Sequence, residues 1–239
     1  MTYLKYELVR ALRNVRFFLF SLGFPLILFL VVAGPNKHQT LAGIPFPLYY
    51  MAGMISWGTM AAVVSSGARI SAERATGWNR QLRLTPLSVR QYLRAKVLSG
   101  YLIAALGIVL LYAAGIGLGV RLPAGRWLGM TALVLIGLVP FAALGIWLGH
   151  LLTPEAVGPA MGGITALVAL LGGAWGPLVS HGFMLHVAQA LPSYWLVQAG
   201  RSAVSGTGWG GNGWGVIAAW TLVFGLLAAR AYRRDTQRV

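Results

Sequence analysis

Long uncharged, apolar runs alternate with short basic stretches along almost the whole chain. Runs of this kind recur at residues 17–34, 48–68, 97–120, 127–150, 156–178 and 210–229. About 20 apolar residues in a helix cross the hydrocarbon core of a bilayer, so the pattern predicts six transmembrane helices in an all-α polytopic membrane protein. Residues 179–205, between the fifth and sixth runs, are largely uncharged too, but they carry His181, His186, Gln189, Pro192, Ser193 and Gln198. Irregular backbone at membrane depth has to be buried in protein or line a wet cavity. A pair of outer re-entrant helices interrupted at Pro192 therefore suits this stretch better than a seventh crossing. Residues 1–16 place Leu4, Leu8 and Leu12 on one helical stripe, with Lys5, Arg10, Arg13 and Arg16 mostly elsewhere. That is the pattern of an interfacial helix. No small-x-small cleavage pattern follows the first apolar run, so it reads as a retained span rather than a signal peptide.

Composition agrees with this picture. Of 239 residues, 57% are hydrophobic and 10% charged, whereas a soluble domain carries nearer a quarter charged residues. No polar or low-complexity linker divides the runs, so residues 1–239 read as a single membrane domain. A net charge of +15 in a soluble protein would point to nucleic acid. Here the bases fall in tight groups between the runs, as a topology code. With six spans and the amino terminus inside, 15 of the 19 Lys and Arg lie on the cytoplasmic side. A seventh crossing leaves 12 inside and 7 outside, a weaker match to the positive-inside rule. The expectation is a multi-pass protein of a bacterial inner membrane, among lipids, with both termini cytoplasmic and no nucleic-acid partner. The absence of cysteine excludes disulfides and thiolate metal sites.

The connector, residues 69–96 (RISAERATGWNRQLRLTPLSVRQYLRAK), holds seven of the 19 basic residues. Each Arg at the centre of a span costs roughly 2.5–3.5 kcal/mol, so this segment belongs at a membrane face. Gly77 is a helix C-cap candidate. Thr85 and Pro86 read as the N-cap and first position of a new helix. Between them lies a turn or two with Trp78, Leu82 and Leu84 beside Arg80 and Arg83. Glu73 is one of four acidic residues, with Glu7, Glu155 and Asp235. Two readings of it stand: a local ion pair with Arg74, Arg80 or Arg83, worth about 0–1 kcal/mol if exposed, or a contact that ties the connector to the amino-terminal helix or a partner subunit.

Other chemistry is thin. No phosphate-binding G-x-x-x-x-G-K-S/T run occurs, so no catalytic residue and no nucleotide or other cofactor site is expected in this chain. His181 and His186 have no carboxylate or thiolate nearby, which argues against a metal site. Ser56, Ser65 and Ser66 lack a base. A proton- or sodium-coupled carrier lacks its intramembrane relay. Glu155 follows Thr153 and Pro154 and reads as an acid in the first turn of a capped helix, with a second cytoplasmic contact as the alternative. Gly115/Gly119, Gly145/Gly149 and Gly158/Gly162 are small-residue pairs at helical spacing that permit close helix approach.

The run ISAERATGWNRQLRLTPLSVRQYLRAKVL resembles the segment between the second and third spans of ABC type-2 transporter permeases. There an acidic-basic pair, a Gly, an Arg-containing turn, a Thr-Pro-Leu-Ser step and a Lys recur. The late stretch ALPSYWLVQAGRSAV is similar to the outer re-entrant segment of that family, with Pro192, Tyr194, Trp195 and Arg201. The resemblance implies a permease subunit that pairs with a second copy or a related chain. It would bind two ATP-binding-cassette ATPase subunits, which carry the ATP and Mg, through a cytoplasmic coupling helix. Glu73, Arg74, Gly77, Arg83, Thr85 and Pro86 match that helix by position, with Arg80 and Arg83 placed to meet an acidic rim. The implied activity is export of a hydrophobic or amphipathic compound such as an antibiotic or drug. A lipid-linked glycan exporter and a non-transporting scaffold or sensor that docks a cytoplasmic partner are the alternatives.

Overall fold

The computed structural model describes residues 2–14, 18–41, 43–78, 81, 84–85, 87–176, 182–206 and 208–237. Arg16, Phe17, Arg80, Leu82, Arg83, Pro86, residues 177–181 with His181, and Arg238 lie outside the described residues. Helices dominate: α1 (Thr2–Arg13), α2 (Phe24–Ala33), α3 (Phe46–Ala68), α4 (Ile70–Ala75), α5 (Val89–Gly117), α6 (Ala124–Gly137), α7 (Val139–Leu151), α8 (Pro154–Leu171), α9 (Phe183–Gln189), α10 (Pro192–Ser205) and α11 (Gly211–Gln237). A two-residue hairpin, β1 (Thr40–Leu41) with β2 (Ile44–Pro45), closes the loop before α3.

Among the described residues, four stretches are long and apolar enough to cross a membrane: Val89–Gly117, Ala124–Leu151, Pro154–Leu171 and Gly211–Asp235. α3 is long enough at 23 residues but less apolar, and the reason is its place. It runs through the middle of the bundle with 19 of its residues buried, packed by α2, α5, α7, α8 and α10. A helix encased by other helices needs no lipid-facing Leu and Ile. It can carry Gly, Ser and Thr, whose small size lets neighbours close in. The hydroxyls of Ser56 and Thr59 bond back to the carbonyls of Ala52 and Ile55, and Ser56 also donates to Leu196 O at 3.0 Å.

The first apolar run is shorter as a regular helix than its pattern predicts. A π-helical turn, Leu19–Gly23, precedes α2, because Pro25 has no N–H to give the Ser21 carbonyl. The 127–150 run forms two helices that break at Leu138 ahead of Pro140, and the 156–178 run ends as α8 at Leu171, before positive-φ Gly173. In the 179–205 stretch, α9 has 7 residues and α10 has 14.

Glycines set the closest crossings. A Cβ added at Gly67 would lie 2.5 Å from the Gly145 carbonyl carbon, and one at Gly149 would lie 2.6 Å from Gly67 O. The Gly145/Gly149 pair is therefore a seam between α7 and α3. The Gly158/Gly162 pair touches nothing within 4 Å, and Gly119 lies beyond the end of its helix with φ +91°.

Candidate functional site

The connector begins as α4, a short continuation of α3, and two adjacent residues on it anchor it in opposite directions. Glu73 turns inward and is 1% exposed. Its carboxylate accepts from Lys96 Nζ at 2.5 Å, from Tyr92 Oη at 2.5 Å and from Arg10 at 3.0 Å. Lys96, fully buried near the start of α5, also donates to Glu7 of α1 at 2.6 Å. One ammonium thus holds two carboxylates from two different helices, and Arg10 closes the set from the solvent side. Of the two readings of Glu73, the tie to the amino-terminal helix is the one present.

The same cluster fixes the crossing of α3 and α5. Ser66 Oγ donates to Lys96 O at 2.8 Å and lies 2.8 Å from Ser99 Oγ. Burial in this cluster pulls the Arg69 guanidinium below its usual range, with Glu7 and Glu73 acting to raise it. Burial pushes the Tyr3 phenol up, and the nearby Glu73 and Glu7 push it further.

Arg74 reaches the other way. Its guanidinium grips Asp235 of α11 through Nε at 2.8 Å and Nη2 at 2.9 Å, the two-pronged geometry that favours Arg over Lys. Nη1 donates to His150 O at 2.7 Å and Ser71 Oγ donates to Leu152 O at 2.6 Å. These satisfy carbonyls that the end of α7 leaves without intrahelical donors. Asp235 also pairs with His150 Nδ1 at 2.6 Å. Through Glu73 and Arg74, α4 is tied to α1, α5, α7 and α11.

Gly77 stands where the sequence places it: α4 ends at Ala75 with Thr76 as its C-cap, and Gly77 follows with φ +69°, its N–H donating to Arg74 O at 3.1 Å. The next helix starts later than the Thr85-Pro86 step predicts. Thr85 Oγ1 accepts only a local bond from Leu87 N at 3.4 Å, and the N-cap is Ser88. Ser88 Oγ accepts from Gln91 N while Gln91 Oε1 accepts from Ser88 N, a capping box that the S-x-x-Q spacing specifies. Ser88→Ala is expected to cost about 1 kcal/mol and Ser88→Gly only a few tenths. Thermal denaturation of the two variants side by side checks this, and equal losses would remove the cap from the account.

Trp78 and Leu84 stand exposed on the connector. Glu155 is exposed in the first turn of α8, whose Thr153 side chain makes no capping bond. Pro192 opens α10, where Trp195 donates through Nε1 to Gln189 O at 2.7 Å and packs edge-on against Tyr194. Arg201 lies over the Tyr49 ring and donates to Gly173 O. These four residues sit on α10, far from Glu73 and Arg74. Sequence reasoning missed Glu7, Tyr92, Lys96, His150 and Asp235 as parts of the connector site. The available signal was the scarcity of acids: Glu7 and Asp235 are each isolated among bases.

Comparison with known proteins places this geometry. The profile of ABC-2 family transporter proteins matches residues 35–230. The chain is also similar to "Putative transport permease YvfS" of Bacillus subtilis (strain 168), at 28% identity over 235 residues, which cover 96% of this chain and 95% of that protein. Several apolar helices, a profile match over most of the length and a relative named as a permease describe a multi-pass membrane subunit of an ABC transporter. The chain belongs to the ABC-2 transporter family.

Proposed function

We propose that this protein is the membrane-spanning subunit of an ATP-driven exporter. A pair of ATP-binding-cassette subunits, which bind ATP and Mg, works it through residues 69–96. In this reading α2, α3, α5, the α6–α7 pair, α8 and α11 are six spans, the connector and both termini are cytoplasmic, and α9 and α10 dip in from outside. The observation that carries it is the paired anchorage of Glu73 and Arg74. A push on the connector is delivered at once to α1, α5, α7 and α11, as transmission between discrete packings requires. Exposed Trp78 and Leu84 offer apolar contacts to the ATPase, and Arg80 and Arg83 offer charge. Glu155 is a second cytoplasmic contact.

The permease acts as a dimer with a second copy or a related chain, and the open glycine face of α8, with the exposed side of α2, is the seam; the second span, α3, expected there from the resemblance, is encased by its own neighbours and takes no part. The cargo is a hydrophobic or amphipathic compound such as an antibiotic or drug, with a lipid-linked glycan as the runner-up. The rival reading is a scaffold or sensor that docks a cytoplasmic protein without transport.

Co-expression with the cognate ATP-binding-cassette protein tests the proposal. The ATPase should copurify, and its hydrolysis in reconstituted vesicles should respond to cargo. Arg83→Ala and Pro86→Ala should lower that response several-fold while the permease still assembles, and Glu73→Ala should abolish it. An ATPase indifferent to all three variants would leave the scaffold reading standing.

A further inference from the structure

Two helices of the bundle carry the same row of side chains, written in opposite directions. On α5, Arg90, Arg94, Leu98, Leu102 and Leu106 follow one another at four-residue steps; on α11 the order is Leu222, Leu226, Arg230, Arg234. Residues four apart on a helix form a ridge along its surface. Every member of both ridges is exposed, Leu98 and Leu102 by 48% each, Leu222 by 67% and Leu226 by 59%. On α5 the ridge lies away from the packed side, because Tyr92 and Lys96, which meet α1 and α4, stand about 200° around the helix from Arg90 and Arg94. Both arginine pairs lie at the connector end of the bundle. Arg94 is two residues from Lys96, which holds Glu73, and Arg234 is next to Asp235, which holds Arg74.

Like charges four residues apart on a helix repel, and no acid of the chain relieves these two pairs. Glu7 and Glu73 are held by Lys96, Asp235 by Arg74 and His150, and Glu155 forms no ion pair among the described residues. Depth says what stands beside them. A step of four residues advances about 6 Å along a helix, and the headgroup layer on each side of a bilayer is about 5–8 Å thick. With the leucines in hydrocarbon, Arg94 and Arg230 therefore stand at the level of the phosphates, and Arg90 and Arg234 one step further out.

We infer that each ridge seats one anionic phospholipid, its phosphate bridging the arginine pair and its acyl chains lying along the leucines. Side chains four apart start about 5–6 Å from each other at Cβ, so two guanidinium groups can share one phosphate, whose oxygens suit their forked donors. The bridging anion turns the repulsion within each pair into attraction. A zwitterionic headgroup offers the same phosphate but brings a cation of its own, so a lipid of net negative charge is preferred. The reversal between the helices supports the assignment: the order of residues inverts with chain direction, while the arginines stay at one membrane face. Lipids in these seats hold the same two helix ends that grip Glu73 and Arg74. The inference rests on α5 and α11 crossing the bilayer and stands apart from the ATP-coupling reading, which can fail while this holds.

Native mass spectrometry of the purified full chain tests it, with dioctanoyl phosphatidylglycerol and dioctanoyl phosphatidylcholine as probes. Phosphatidylglycerol should bind in two saturable steps, each at least about tenfold tighter than phosphatidylcholine, a difference of about 1.4 kcal/mol. Arg90→Gln with Arg94→Gln should remove one step, and Arg230→Gln with Arg234→Gln the other. Each double variant decides for its own helix, so the test stands if one of them does not fold. Lys5→Gln with Arg13→Gln takes the same charge from exposed positions of α1 and should change the affinity by less than about twofold, as screened surface charge does. Equal binding of the two probes by the unaltered chain would overturn the inference, as would two steps that survive every folded variant. A loss in the α1 variant equal to that in the others would reduce the seats to net charge and overturn it. Glycerol phosphate that binds as tightly as phosphatidylglycerol would assign them to a soluble anion and overturn it too.

Discussion

Lys96→Met is expected to destabilise the protein by about 3–5 kcal/mol, the usual cost of breaking a buried ion set by removing one partner. Methionine fills the same space, so the loss is electrostatic. Glu7 and Glu73 would remain buried with their shared ammonium gone. Arg10 cannot replace it, because its side chain is 58% exposed and such pairs contribute little. For a chain of this size the melting temperature should fall by roughly 6–20 °C, read by thermal denaturation of the detergent-purified protein. The triple variant Glu7→Gln, Glu73→Gln, Lys96→Met should recover most of the loss, since replacing a whole buried ion set by neutral groups is often tolerated. A Lys96→Met protein as stable as the unaltered one would remove the network from the account of this fold.

Gly145→Ala carries the second large effect. The new methyl would lie 2.4 Å from Val64 O and 2.9 Å from Val64 Cα. Overpacking costs about 1–3 kcal/mol where side chains can give way. Here the obstacle is backbone of the central helix, so the upper end of that range is expected. Gly129→Ala is the matched control: nothing lies within 4 Å of its added Cβ, and exchanging Gly for Ala inside α6 should stabilise that helix by up to about 1 kcal/mol. Melting curves should move in opposite directions. If both variants lose stability alike, the tight crossing of α3 and α7 is not what limits this bundle.

These two positions also show how much the sequence discloses. The Gly145/Gly149 spacing is visible as a close-approach motif, yet Gly158/Gly162 has the same spacing and faces away from the bundle. Spacing reveals a smooth helix face and says nothing about which neighbour covers it. Glu73 stands out as an acid in a basic loop, and Gly77 as a cap, because both signals are local. Lys96 is visible as the Lys that enters the third apolar run in the resembling segment, but its burial between two acids is not, because one of them is Glu7, 89 residues away. The restart of α5 at Ser88 was as legible as the Thr85-Pro86 step, and it prevails because Gln91 completes the capping box. Arg201 is legible as a lone base in an apolar stretch. That it is answered by the Tyr49 ring and a backbone carbonyl follows only from the fold.

The grip of Asp235 on Arg74 has a consequence for biosynthesis. The two residues are 161 positions apart, and at about 5–20 residues per second a ribosome needs roughly 8–32 s to travel from one to the other. Within that interval Glu73 has Arg10 and gains Lys96, whereas Arg74 still waits for its carboxylate partner. The connector of a growing chain therefore lacks its Asp235 clamp until late in synthesis, when the α11 segment arrives and completes the ties made to α5 and α7. Any factor that must dock on a rigid connector would thereby be kept from engaging a half-made subunit.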